Sequence, residues 1–209
     1  MILRIAVIAT SIAAEIAAWQ LIFRGEGSVW RTLIPISALA GVLAIVLGPE
    51  ELSGRVDVIE AFGVGVGSGT LLYAGTLVFV DVASRWGTFG RDVARTYSSA
   101  AGASTATALV LSAAIAAPSE EVFWRGLTIG ILRLHTSATV AGVIAWFGYV
   151  IVKLSARSLP VLAGAIVGGA LWTVLAVWTG GVLASVCSHT LWTALMVSLP
   201  PARAARGSG

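Results

Sequence analysis

Apolar runs long enough to cross a lipid bilayer recur along almost the whole 209-residue chain, and they restrict its fold more than any other feature. A spanning helix takes roughly 20 apolar residues, and in lipid any backbone that is neither helical nor closed into a barrel leaves its polar groups unsatisfied. Candidate spans cover 5–23, 33–47, 58–80, 99–117, 120–134, 139–152, 161–178 and 182–199. Several are short, as for helices supported by neighbours in a bundle. Charged residues make up 11% and apolar ones 57%, against about 25% charge in a soluble domain, so this chain could not cover a water-facing surface. The expected fold is all-α: a polytopic transmembrane helix bundle of about eight helices, integral to a membrane and forming one domain over 1–209. No repeat, linker or low-complexity segment divides it.

The breaks between spans have recognisable chemistry. Arg24-Gly25-Glu26-Gly27 closes the first run, Gly48-Pro49-Glu50-Glu51 the second, and Thr179-Gly180-Gly181 precedes the last. Glu50 and Glu51 read as a solvated acidic loop behind a Gly-Pro turn. Pro118 separates the fourth and fifth runs, and 81–95 is the one long polar loop. The first run carries Glu15 and is long enough to span, so it reads as a retained helix rather than a signal peptide. With eight spans the basic residues divide evenly, with Arg4, Arg55, Lys153, Arg157, Arg203 and Arg206 on one side and Arg24, Arg31, Arg85, Arg91, Arg95 and Arg133 on the other. That tie gives no orientation. Net charge is +3, and no dense basic run points to nucleic acid. Cys187 is the only cysteine, which excludes an internal disulfide. Gly63-x-x-x-Gly67, Gly65-x-x-x-Gly69 and Gly164-x-x-x-Gly168 have the small-residue spacing that lets membrane helices approach closely, and they read as packing within the bundle.

Against this background Glu120-Glu121-Val122-Phe123-Trp124-Arg125 stands out. A charge at a helix centre in the bilayer costs about 2.5–3.5 kcal/mol on insertion scales. Two successive carboxylates with a cation one turn on therefore mark a functional site. Glu121 and Arg125 are four apart and share a helix face. Glu120 is rotated about 100° away, so Arg125 cannot serve both: Glu121 is held, and Glu120 is left to face a cavity as a general base towards water. A buried ion-pair network locking two helices is the purely structural alternative. On the last run Ser185, His189 and Thr193 recur at four-residue spacing, making a polar stripe that fits either an interhelical bond or a site histidine. His135 reads as interfacial, and Glu15 and Glu60 are not assigned to the site. Zinc needs three or four protein ligands, and His189 beside two glutamates is too thin a set, so neither metal nor cofactor is expected.

These residues carry a resemblance. Glu120-Glu121-x-x-x-Arg125-Gly126 matches the EExxxR signature of the CPBP intramembrane proteases, which include the type II CAAX prenyl endopeptidases. The segment from Thr179-Gly180-Gly181 to His189 is similar to the family's last motif, a Thr-Gly turn leading into a histidine-bearing helix. The resemblance covers about 111–199. It implies an intramembrane endopeptidase acting on a peptide or membrane-protein substrate, in the plasma (inner) membrane of a bacterium. Glu120 would be the water-activating base, Glu121 and Arg125 its supporting pair, and His189 the oxyanion partner. Two positions depart from the pattern. The family's FxxxH aligns with Phe147-Gly148-Tyr149-Val150-Ile151, putting isoleucine where a histidine is expected. Thr193 stands at the usual Asn or Asp position and keeps only a hydroxyl donor. The alternative is a degenerate member that binds a membrane partner without cutting it. A proton-coupled transporter is a third reading, without repeat symmetry behind it.

Overall fold

A computed structural model describes residues 1–48, 52, 54–99 and 102–201. Among them the chain forms eight helices and no strand: α1 (Ile2–Arg24), α2 (Val29–Leu47), α3 (Val58–Ala83), α4 (Gly87–Ser99), α5 (Thr105–Arg133), α6 (Ala138–Leu154), α7 (Leu159–Thr179) and α8 (Leu183–Ser198). Five of them, α1, α2, α3, α5 and α7, are long and apolar enough to cross a membrane, and α6 and α8 are shorter apolar helices. The protein is an all-α membrane helix bundle. Glu50 and Glu51 lie outside the described residues.

The number of helices agrees with the sequence reading, but their membership does not. The runs 99–117 and 120–134, expected to be separate spans, form the single 29-residue helix α5. Pro118 lacks an N–H, and its ring clashes with the carbonyl four residues back, which normally breaks or kinks a helix. Here two π-helical stretches, Leu109–Ala116 and Val122–Thr128, flank the α-helical turn Ala117–Glu121 that carries the proline. Local π adjustments of this kind re-satisfy freed backbone groups in membrane helices, and π segments gather at functional sites. Both glutamates therefore sit in a turn whose pitch changes on either side.

The expected polar loop 81–95 holds most of the unexpected helix α4. Phe89, Val93 and Tyr97, at i, i+4 and i+8, pack on Val80 and Ala83 at the end of α3. Arg91 and Arg95 point outward from the same helix. Its polar residues hid an amphipathic period.

Merging two spans changes every side assignment after residue 105. Helices α1, α3, α6 and α8 run towards the end of the bundle that carries α4, and α2, α5 and α7 run away from it. Contacts along the chain agree with this. Thr76 and Trp192 bond at 3.0 Å between parallel α3 and α8, and Arg157 lies 4.6 Å from the Phe23 ring where α6 and α1 both end. Arg24, Arg31, Arg85, Arg91, Arg95 and Arg157 thus belong to the α4 end, and Arg4, Arg55 and Arg133 to the opposite end. The even split of basic residues came from counting one helix as two.

Close helix approaches set the site. A Cβ on Gly65 would lie 2.7 Å from the Ala184 carbonyl oxygen, and one on Gly69 2.7 Å from that of Ser188. These two glycines seat α8 against α3. Gly63 and Gly67, from the overlapping motif, meet nothing within 4 Å. On α2, a Cβ at Gly41 would sit 2.6 Å from the Ser119 Cβ, so this glycine admits the turn that carries Glu120.

Candidate active site

Two linked clusters of charge lie inside the bundle. In the first, the Arg125 guanidinium donates to Glu121 Oε1 at 3.2 Å, with both side chains essentially inaccessible (1% and 0% exposed). Its other arm donates to the Gly169 carbonyl of α7 at 2.9 Å. The guanidinium carbon lies 4.7 Å from the Tyr149 ring and 5.7 Å from that of Trp172, a geometry in which aromatic faces further stabilise the cation. His189 Nδ1 is 2.8 Å from the same Glu121 oxygen. Its ring stacks on Trp172 at 3.6 Å and 15°, so both its position and its tilt are fixed. Glu121 Oε2 has no hydrogen-bond partner among the described residues.

The Glu121–Arg125 pair was legible from helical spacing, and the structure brings His189 to it from α8. The contact has a consequence for the imidazole. A carboxylate only accepts, so Nδ1 must carry the proton it shares with Glu121. A neutral ring then presents Nε2 as an acceptor. Only the imidazolium offers a donor there.

The second cluster surrounds Glu120. Its Oε1 accepts from the Lys153 ammonium at 2.8 Å and its Oε2 from the Tyr149 hydroxyl at 3.0 Å. Lys153 also donates to Glu15 Oε1 on α1 at 2.5 Å. It stands 5.0 Å from the Tyr149 ring and 5.6 Å from the Trp19 ring. Glu120 is not the unpartnered carboxylate that the sequence implied: it is held on both oxygens. Its side chain keeps 13% exposure, against 5% for Lys153 and 7% for Glu15.

Lys153, Tyr149 and Glu15 are the residues the sequence reading missed. Lys153 falls one residue beyond the expected span 139–152, among the loop cations, and Glu15 sits 138 positions away from it. The Phe147–Ile151 alignment also fails in space. Phe147 and Ile151 are 55% and 59% exposed on the outer face of α6, whereas Tyr149 and Lys153 are 4% exposed and point inward. The inward face thus repeats the aromatic-x-x-x-base pattern two residues further on, as Tyr149-Val150-Ile151-Val152-Lys153. An α-helix turns about 100° per residue, so a two-residue shift turns a lipid-facing pair into a site-facing one. An earlier signal was available: a lone lysine four residues after a tyrosine in an apolar helix.

Thr193 is half-buried and makes no hydrogen bond to His189 among the described residues. Ser185, first in the same stripe, is fully buried and donates to the Val182 carbonyl at 2.9 Å, fastening the start of α8. His135 is exposed between α5 and α6, away from the site. Among the described residues no group of three or more His, Cys, Asp and Glu side chains is placed to hold a metal ion; the cluster around Glu120 is organised by an ammonium group instead.

Paired glutamates, a helix-borne arginine and a histidine from the last helix are thus gathered inside a membrane helix bundle. Residues 102–195, from the approach to α5 through most of α8, match the family model described as type II CAAX prenyl endopeptidase Rce1-like. The match is consistent with the CPBP resemblance and supports a CAAX protease-like membrane protein. It spans just under half of the chain, and Glu15 lies outside it. No curated protein and no solved structure matches the chain.

Proposed function

We propose that the chain is an intramembrane endopeptidase in which Glu120 activates water for attack on a peptide bond. The observation that carries this reading is the unlike treatment of two adjacent carboxylates. Glu121 is sealed and shared between Arg125 and His189, while Glu120 keeps an accessible edge and is aimed by Tyr149 and Lys153. A general base must reach its water and be held in one orientation, and of the two only Glu120 meets both conditions.

In this mechanism Glu120 takes a proton from water as the water oxygen bonds to the scissile carbonyl carbon. The carbonyl oxygen becomes an oxyanion, and His189, as imidazolium through Nε2, donates to it. Collapse breaks the C–N bond, and the proton held by Glu120 passes to the leaving amine. Lys153 and Tyr149 act as positioning residues. When Glu120 is neutralised by the proton, the Lys153 ammonium keeps Glu15 as its second carboxylate partner, so no buried cation is left unpaired.

Cleavage of a membrane-peptide library by reconstituted protein tests the reading. Wild type should yield defined fragments by mass spectrometry and Glu120→Ala none. The non-cleaving alternative draws on one observation: both Glu120 oxygens are already engaged. It predicts intact peptide from both proteins, with peptide retained by the wild type. The partners of this reading are the lipid bilayer and a peptide or membrane-protein substrate, and its setting is the plasma membrane of a bacterium.

A further inference from the structure

We propose that α4, with Trp86 immediately before it, rests on anionic lipid headgroups of the cytoplasmic leaflet, so that the α4 end of the bundle is its cytoplasmic end. Three features converge. The outer stripe of α3, Val78, Val82 and then Trp86, is exposed at 67%, 43% and 66%. This i, i+4, i+8 series is a lipid-facing stripe that terminates in tryptophan, the side chain whose amphipathic ring sits at headgroup level. Trp86 therefore marks the edge of the hydrocarbon.

Beyond that edge the chain turns into α4. Its inner face is anchored by Phe89, Val93 and Tyr97, with Phe79 and Phe89 edge to face at 5.4 Å and the Tyr97 hydroxyl donating to the Met196 carbonyl at 3.2 Å. Thr96 and Ser158 bond at 2.9 Å across to the start of α7. The helix is thus fixed flat across the ends of α3, α7 and α8. Thr88, Arg91, Arg95 and Ser98, at i, i+3, i+7 and i+10, form its exposed face. Arg85, beside Trp86, adds a third guanidinium, lying 3.9 Å from Asp81 and 71% exposed. Guanidinium groups match phosphate oxygens bidentately, and juxtamembrane basic residues are drawn to the anionic cytoplasmic leaflet.

The third feature is the corrected charge distribution. With α5 as one helix, Arg157 joins Arg24, Arg31, Arg85, Arg91 and Arg95 at this end, and Arg133 passes to the other end with Arg4 and Arg55. The excess of basic residues in short connections identifies the cytoplasmic side. The inference does not depend on whether the chain cleaves peptides.

Two measurements test it. In a Cys187→Ser background, single cysteines are placed at Ser98 on the α4 end and Thr136 on the opposite end, both exposed. A membrane-impermeant maleimide should label Thr136→Cys in intact cells of a bacterial host and Ser98→Cys only after permeabilisation; any other pattern overturns the orientation. Hydrogen–deuterium exchange of 85–99 is then compared in nanodiscs of phosphatidylcholine alone and with about a third phosphatidylglycerol. Exchange should slow at least threefold with the anionic lipid. Arg91→Gln/Arg95→Gln should abolish that slowing while leaving 117–133 unchanged. Equal exchange in the two lipids, or slowing that persists in the double variant, overturns the headgroup contact.

Discussion

Glu120 and Glu121 share a turn of α5, yet each belongs to a different chemical region. Glu121 is enclosed by Arg125 from its own helix, His189 from α8 and the Trp172 ring behind the histidine. Glu120 faces α6 and α1 and shares an ammonium with Glu15. The first region is fully buried and tied to the backbone of α7 through Gly169. The second keeps an edge open and is built from side chains alone. One helical step of about 100° separates a carboxylate that locks three helices together from one that keeps an exposed edge. Burial, rather than residue type, assigns the two roles.

The sharpest way to break this comparison is Glu120→Ala. If the open region does the chemistry, peptide cleavage should fall by about 10²–10⁴-fold, the range typical for loss of a general base, with folded yield retained. Arg125→Met attacks the closed region instead. Removing one partner of a buried pair costs about 3–5 kcal/mol, so the melting temperature should drop far more than for Glu120→Ala. Similar losses of stability in the two variants would erase the distinction.

Smaller changes sharpen it. Gly65→Ala drives a methyl group into the Ala184 carbonyl and should cost about 1–3 kcal/mol by overpacking, lowering cleavage as well because α8 carries His189. Gly63→Ala, two residues away and open to lipid, should leave both thermal unfolding and cleavage unchanged. A double-mutant cycle on Glu15→Gln and Lys153→Met should show a coupling energy of about 0.5–3 kcal/mol; strictly additive effects would detach Glu15 from the site. Last, Ile151→His should produce no gain in cleavage, since that position faces outward at 59% exposure, whereas Lys153→His should retain part of the wild-type rate.

Short-range features of the site were legible from spacing. Glu121 and Arg125 pair as an i, i+4 couple should, and the close approach implied by Gly65 and Gly69 occurs within the bundle. Errors arose where a local signal was decisive in isolation but not in the fold. Pro118 reads as a break, and π-helical turns on either side absorb it. A motif alignment chose Phe147 and Ile151, and helix rotation chose Tyr149 and Lys153.

The sequence by itself determined the solvent of this protein, its helical class and the buried carboxylate pair, because the cost of placing polar groups in lipid leaves few alternatives for a chain so apolar. Only the tertiary structure decided that Glu120 is held on both oxygens, which cation serves it and which end of the bundle gathers the arginines. Those outcomes depend on helix rotation and on contacts between residues as distant in the chain as Glu15 and Lys153, and no local pattern encodes either.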